Sequence, residues 1–131
     1  MTGVQTCALP ISSACYSYSS IKALPKEWID RAFSQQEDVF CLDSPLRNKV
    51  TFIEQDIRQS SPPDAFHIIL CRNLAFTYFD NTLQLEVLEN IRNCLVDGGA
   101  LIIGGHESLP EGYSGFCQWP GQRAIFQKCS R

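Results

Sequence analysis

The sequence contains no run of Lys or Arg, and its formal net charge is −3. A chain of this charge has no electrostatic footprint for nucleic acid or for an anionic membrane surface, so neither is expected as a partner. No apolar stretch approaches the roughly 18 residues that a membrane-spanning helix needs, so membrane insertion is not expected. No Cys-x-x-Cys pair is present either, and without such spacing we expect no metal site.

What the chain does contain is the composition of a globular protein. Hydrophobic residues make up 44% of the 131 residues and charged residues 19%, a balance that favours a packed core over disorder. The length suffices for one domain.

Cysteine is abundant, and the 7 residues lie at positions 7, 15, 41, 71, 94, 117 and 129. An odd number spread along the chain fits a disulfide framework poorly, so we expect a reducing, cytoplasmic compartment. Cys71 and Cys94 fall in apolar or amphipathic runs, where a free thiol packs as a small hydrophobe.

The first residues, MTGVQTCALPI, resemble the translation of a sequencing-adapter oligonucleotide. No positive charge precedes their apolar patch and Pro10 interrupts it, which argues against a signal peptide. We therefore expect residues 1–11 to be an adapter-derived artefact, and residues 12–131 to be a domain that is incomplete at its N-terminal side.

Hydrophobic periodicity predicts an α/β fold with parallel pairing, because strand, loop, strand, helix and strand follow one another. Asn81 and Gln84 resemble a capping box that starts an amphipathic helix, and Asp97-Gly98-Gly99 would end it. The predicted elements are a helix over 25–33, strands near 39–42 and over 50–54, a strand over 66–71 buried on both faces, the helix from 81, a strand over 100–103, and a terminal hairpin of 116–119 with 123–127.

Ligands of parallel sheets bind outside the carboxyl ends of the strands. This rule selects the residues that follow each predicted strand: Gln55-Asp56-Ile57, Arg72-Asn73 with the aromatic residues Phe76, Tyr78 and Phe79 beyond, and Gly104-Gly105-His106-Glu107. We expect all three clusters to line one edge of the sheet.

The string from Cys71 to Asp80, CRNLAFTYFD, closely resembles the CRN-x-x-x-YFD signature of the CheR-type methyltransferases. Residues 50–57 and the stretch from Asp97 to Glu107 add support, and the resemblance extends over roughly residues 14–128. The chain departs from the family at three places. It has one residue more between Asn73 and Tyr78, it carries His67 where Asp is frequent, and it lacks the glycine-rich cofactor loop with the acidic residue of the following strand.

The resemblance implies a truncated Rossmann-like sheet, strands 3 to 7 of a seven-stranded mixed sheet in the order 3-2-1-4-5-7-6, so that 12–131 is a partial methyltransferase catalytic domain. It implies S-adenosylmethionine as the cofactor and a protein or small-molecule methyl acceptor, with glutamate O-methylation as the family reaction. Asp56, Ile57, Asn73 and Leu74 would contact the cofactor. Tyr78 would stand near the transferred methyl group, and Arg72 would orient the loop or an acidic substrate. With the first strands missing, the strand over 66–71 would be an exposed apolar edge, and the chain alone would dissolve poorly and bind the cofactor weakly or not at all.

Structural roles compete with each of these assignments. Asp56 could cap the next turn, Asn73 could satisfy loop backbone groups, and Arg72 could form a structural ion pair. Phe76 and Phe79 fit the core under the helix, as Tyr78 also could, whereas His67 fits a hydrogen-bonded core position. His106-Glu107 lacks the second His of a zinc-protease motif and would shape the cleft rim.

Two other functions remain open at this point. One is a non-catalytic, Rossmann-like binding or scaffold module, which loss of the glycine-rich loop upstream would favour. The other is a nucleotide-dependent oxidoreductase, which leaves the CRN…YFD string unexplained. The sequence does not indicate the methyl acceptor or the oligomeric state.

Overall fold

The computed structural model describes residues 13–60 and 62–129. The adapter-like segment 1–11 lies outside the described residues, and that assignment stays a prediction. The chain divides into two compact units, Met1–Ile53 and Glu54–Arg131, and each is described by itself. No helix among the described residues is long and apolar enough to cross a membrane.

The described part of the first unit is built on a three-stranded antiparallel sheet, in the order β1-β3-β2. Its elements are β1 (Cys15–Ser17), α1 (Tyr18–Ile21), α2 (Lys26–Ala32), β2 (Phe33–Gln36), β3 (Val39–Leu42) and α3 (Ser44–Arg47). The predicted helix over 25–33 and the strand near 39–42 are confirmed. β1 and β2 were not predicted, since short strands rich in Ser and Gln lack the apolar alternation that marks a strand.

Two pairs of cysteines are joined as disulfides, Cys15–Cys41 and Cys117–Cys129. The expectation that the cysteines fit a disulfide framework poorly is therefore wrong for these pairs. Cys15 and Cys41 stand 26 residues apart in sequence but face each other across β1 and β3, a proximity that spacing alone does not reveal. By contrast Cys71 is a free, buried thiol as predicted, and its burial raises the pKa of the thiol.

The second unit contains a four-stranded mixed sheet in the order β4-β5-β7-β6. Its elements are β4 (Phe66–Cys71), α4 (Ala75–Tyr78), α5 (Asn81–Cys94), β5 (Leu95–Ile103), β6 (Phe116–Gln118) and β7 (Ile125–Lys128). β4 and β5 are parallel, and β7 pairs antiparallel with β5 and β6. The parallel pair and the terminal hairpin are confirmed, and this order is the one that the resemblance implies for the last four strands.

The core of this unit lies between α5 and the sheet. Val87 and Leu88 of α5 are fully buried, and they belong to one cluster with Leu101 and Ile103 of β5. Apolar residues at helical spacing produced this buried stripe, as predicted.

Both predicted ends of α5 need correction. The N-cap is Asp80, not Asn81, because the Asp80 Oδ1 accepts a hydrogen bond from the Leu83 amide at 2.9 Å. The helix ends at Cys94 instead of at the glycines, because Leu95 already pairs with Phe66 in the sheet. Burial of Leu95 and its strand pairing together outweigh the C-cap preference of Gly98.

Three further expectations are wrong. Residues 50–54 form no strand, and no described strand pairs with them; an extended segment without a partner leaves its backbone groups to water. β4 is buried on one face only, because Ile68 and Leu70 are 58% and 65% exposed. His67 is an exposed residue and not a core residue. β4 does stand at the edge of its sheet, as expected.

Candidate functional site

The loop after β4 carries most of the candidate residues. Cys71 ends the strand, Arg72, Asn73 and Leu74 follow in the loop, and α4 begins at Ala75. Asn73 has a φ of +54°, the left-handed region that a non-glycine residue enters at a cost. The chain therefore turns sharply at Asn73 as it leaves the sheet, and the three loop residues are exposed.

The single turn of α4 fixes which side chains face outward. Ala75 and Phe76 are buried in the core cluster, and Phe79 packs against that cluster, so the core assignment of the two Phe residues is confirmed. At the end of the same turn Tyr78 is 75% exposed. Tyr78 is therefore not a core residue, and its ring is open to a ligand.

The loop after β5 approaches the β4 loop through Glu107. The Glu107 Oε2 accepts hydrogen bonds from the Asn73 amide at 2.9 Å and from the Gly104 amide at 2.6 Å. Its Oε1 accepts a hydrogen bond from the Thr77 hydroxyl at 2.5 Å. One carboxylate thus joins both strand ends and the short helix α4.

The environment of Glu107 favours its ionised form. Burial by itself raises the pKa of the Glu107 carboxyl, but hydrogen bonds from Thr77 and from the amides of Asn73, Gly104 and Leu74 outweigh it and hold the pKa below its usual range. The carboxylate is accordingly a charged acceptor at neutral pH.

Asp56 is engaged locally. Its Oδ1 accepts hydrogen bonds from the Arg58 amide at 3.0 Å and from Nε at 2.9 Å, and its Oδ2 forms an ion pair with the Arg58 Nη2 at 2.7 Å. The side-chain hydrogen bond with Arg58 lowers the pKa of Asp56 to about 2. The alternative role, capping the next turn, is therefore realised in this structure.

Ile57 is half-buried and packs against the core cluster. It also lines a cavity of about 290 Å³ with Phe66, Ile69 and Ile91. Among the described residues no hydrogen bond or ion pair connects Asp56 or Ile57 with the Asn73 loop.

Arg72 follows β4 and His106 lies in the loop after β5, and both residues are exposed. The ion pairs found between described residues leave Arg72 without a carboxylate partner, so the structural ion pair considered for it is not formed. The structure therefore brings together Asn73, Gly104 and Glu107, and it leaves Arg72 and Tyr78 open beside them.

Sequence reasoning assigned Glu107, with His106, only to the rim of the cleft, and it gave Thr77 no role. Glu107 lies four residues after the end of β5, in a cluster that the strand-end rule selected, which was a signal that it belongs to the site. Nothing in the sequence indicated that Thr77, in α4 and 30 residues earlier in the chain, would donate to it. Within the described part of the chain no group of three His, Cys, Asp or Glu side chains could hold a metal ion.

The mixed sheet with candidate residues at its parallel strand ends is a fold of the methyltransferase type. Residues 10–125 match the family model "CheR methyltransferase, SAM binding domain". Since this match covers most of the chain, the protein belongs to the CheR methyltransferase family, whose cofactor is S-adenosylmethionine.

Two curated relatives are similar over long stretches. The "Chemotaxis protein methyltransferase 2" of Vibrio cholerae is 30% identical over 98 residues, which are 72% of this chain and 34% of the relative. The "Uncharacterized 104.1 kDa protein in hypE 3'region" of Rhodobacter capsulatus is 23% identical over 127 residues, 96% of this chain and 13% of the relative. The chain thus spans about a third of the first relative and about an eighth of the second.

Proposed function

We propose that this chain forms one side of the cofactor cleft of an S-adenosylmethionine-dependent methyltransferase that methylates a protein carboxylate. Asn73 and Leu74 bind the cofactor, with Asp56 and Ile57 at its adenine. Tyr78 stands beside the transferred methyl group, and Arg72 orients the acidic acceptor. The rest of the cleft, in this proposal, comes from residues outside this sequence.

The observation that carries the proposal is the exposed group at the carboxyl end of β4. Three exposed residues lie within six residues of chain: Asn73 with its carboxamide, Leu74 with its apolar side chain and Tyr78 with its aromatic ring. These groups match the cofactor's chemistry, because its polar ends need hydrogen-bond partners and an aromatic face attracts a sulfonium cation.

The proposed reaction requires little general acid–base catalysis from these residues. The bound cofactor supplies an electrophilic methyl group on a positively charged sulfur. An ionised carboxylate needs no general base, so the protein must mainly orient the acceptor and exclude water. None of the ion pairs between described residues involves Arg72, and its guanidinium suits an acidic acceptor because it can form a two-point contact with a carboxylate.

Cofactor binding is tested by nuclear magnetic resonance (NMR) on the ¹⁵N-labelled chain, titrated with S-adenosylmethionine to millimolar concentration. We expect weak binding, because one side of the cleft supplies only part of the contacts, with shift changes centred on Asn73, Leu74 and Tyr78. Asn73→Ala should abolish the changes, and the matched control Asn93→Ala, at an exposed position on α5, should not. Equal binding by both variants, or micromolar affinity of the isolated chain, would contradict the proposal.

The acceptor is tested with the protein encoded by the complete reading frame. Methyl groups transferred to carboxylates form methyl esters, and mild alkali hydrolyses these esters and releases the methyl group as methanol. Methyl groups on amines stay bound under the same conditions. We expect alkali-labile label from labelled cofactor, and lower labelling by Tyr78→Ala. Label that survives alkali would refute the carboxylate acceptor, and no transfer by the complete protein would favour the non-catalytic scaffold.

A further inference from the structure

A single carboxylate holds the two loops of the candidate site together. Glu107 uses both oxygens: Oε2 accepts from the Asn73 and Gly104 amides, and Oε1 accepts from the Thr77 hydroxyl. Every one of these partners is a donor. Glu107 therefore connects the end of β5 with the β4 loop and with α4 at the same time.

The Asn73 backbone needs such support. Its φ of +54° costs free energy for a residue with a Cβ atom, and a charge-assisted hydrogen bond to its amide offsets that cost. The side chain is constrained as well, because a Cβ added to Gly104 would overlap the Asn73 Oδ1 and lie 2.7 Å from the Glu107 Oε2. The absence of a side chain at Gly104 leaves the space that the Asn73 carboxamide occupies.

We infer that Glu107 is a positioning residue, whose carboxylate fixes the turn at Asn73 and so orients the Asn73 and Leu74 groups toward the cofactor. The inference rests on the proposed function for the destination of those groups. Through Thr77 the same carboxylate also anchors α4, which carries Tyr78. Glu107 thereby links the part of the site that binds the cofactor to the part that binds the methyl acceptor, and it contacts neither ligand itself.

The chemistry of the side chain makes a specific substitution informative. A carboxylate presents acceptors on both oxygens, whereas a carboxamide presents one acceptor and one NH₂ donor. In Glu107→Gln the NH₂ group must face either the two amides or the Thr77 hydroxyl. If it faces the amides, donors face donors; if it faces Thr77, the charge that strengthens the bonds to both amides is still lost.

The test compares Glu107→Gln with Glu111→Gln in the ¹⁵N-labelled chain. Glu111 is an exposed carboxylate in the same loop region, so its substitution removes the same charge. We expect Glu107→Gln to shift the Asn73 and Gly104 amide signals while the α5 signals persist, and to weaken S-adenosylmethionine binding about tenfold, as loss of a charge-assisted hydrogen bond implies. Glu111→Gln should bind like the unaltered chain.

A second pair of variants decides the matter if Glu107→Gln fails to fold. Thr77→Val removes one donor to Glu107 and keeps the side-chain shape, and Thr77→Ser keeps the hydroxyl. We expect Thr77→Val to weaken cofactor binding and Thr77→Ser to restore it, a rescue that a purely structural role in packing would not produce.

The outcomes separate this inference from the function on which it rests. If the unaltered chain binds the cofactor and the folded Glu107→Gln chain, or Thr77→Val, binds equally well, the positioning role is refuted and the proposed function stands. If millimolar cofactor shifts no signal at Asn73 or Leu74 either in the unaltered chain or in the protein encoded by the complete reading frame, the proposed cofactor site is refuted, and the role of Glu107 in it is refuted as well.

Discussion

Replacing Asp80 by Ala should destabilise the second unit by about 1 to 2 kcal/mol. The Asp80 carboxylate accepts the Leu83 amide at 2.9 Å, and an N-cap of this kind contributes about 1 kcal/mol. Its negative charge at the helix N-terminus adds roughly 0.3 to 1 kcal/mol. Asp80→Asn keeps an acceptor and loses the charge, so only the second contribution should disappear. Asn81→Ala should change stability by less than about 0.5 kcal/mol, because Asn81 lies inside the first turn.

Urea unfolding followed by tryptophan fluorescence measures these differences. Trp119 follows β6 in the second unit and Trp28 lies in α2 of the first, so a Trp28→Phe background leaves Trp119 as the reporter of the unit that contains α5. The midpoint should fall for Asp80→Ala with an unchanged slope. If Asn81→Ala costs as much as Asp80→Ala, the helix is capped at Asn81 and the reasoning from the Asp80 contact is refuted.

Three further perturbations test other parts of the second unit. Leu88→Ala should cost about 2 to 5 kcal/mol in urea unfolding, because Leu88 is fully buried in the core cluster; a loss below about 1 kcal/mol would contradict its burial. Tyr113→Phe removes the hydroxyl that donates to the Glu89 Oε2 at 2.5 Å, and should cost about 1 kcal/mol in the same assay, with no loss expected if that hydrogen bond is absent. The folded-state pKa of Asp56 is lowered to about 2 by its pair with Arg58, so the stabilisation from this pair is present above the unfolded value near 3.8 and is lost as the pH falls toward 2. Arg58→Gln should return the pKa of Asp56 toward 3.8, and NMR of the side-chain carboxyl group measures this change.

The sequence predicted well where one pattern determines one element. The apolar spacing of α5 placed Val87, Leu88 and Ile91 in the core, and the structure buries all three. Pro120-Gly121 between two apolar segments predicted the terminal hairpin, and β6 pairs with β7 there. In both regions the local signal and the tertiary packing agree, so no distant contact is needed to decide the outcome.

Elements that depend on a distant partner were predicted less well. Residues 50–54 have the composition of a strand and remain irregular, since a strand forms only beside another strand. The reverse holds for Cys15 and Cys41, which carry no pairing signal and are brought together by the antiparallel register of β1 and β3. Composition reports what a segment can bury, but it does not report which neighbour the fold supplies.

The candidate site shows the same division. The strand-end rule selected the loops that contain Asn73 and Glu107, and the structure joins those loops by hydrogen bonds. The same rule also selected Asp56, whose carboxylate forms an ion pair with Arg58 two residues away. The rule presumed a strand before Asp56, and since residues 50–54 form none, the rule by itself no longer places Asp56 beside Asn73.

The position of β4 at the edge of its sheet explains why the conformation of the site depends on contacts from the β5 loop. Ile69 of β4 packs against the core, whereas Ile68 and Leu70 are exposed, and among the described strands only β5 pairs with β4. A parallel strand is normally covered on both faces. β4 is instead covered on one face only and, among the described strands, is paired along one edge. Besides the burial of Ala75 and Phe76 in the core, the loop at the carboxyl end of β4 is held from the β5 side, where Glu107 accepts a hydrogen bond from the Asn73 amide.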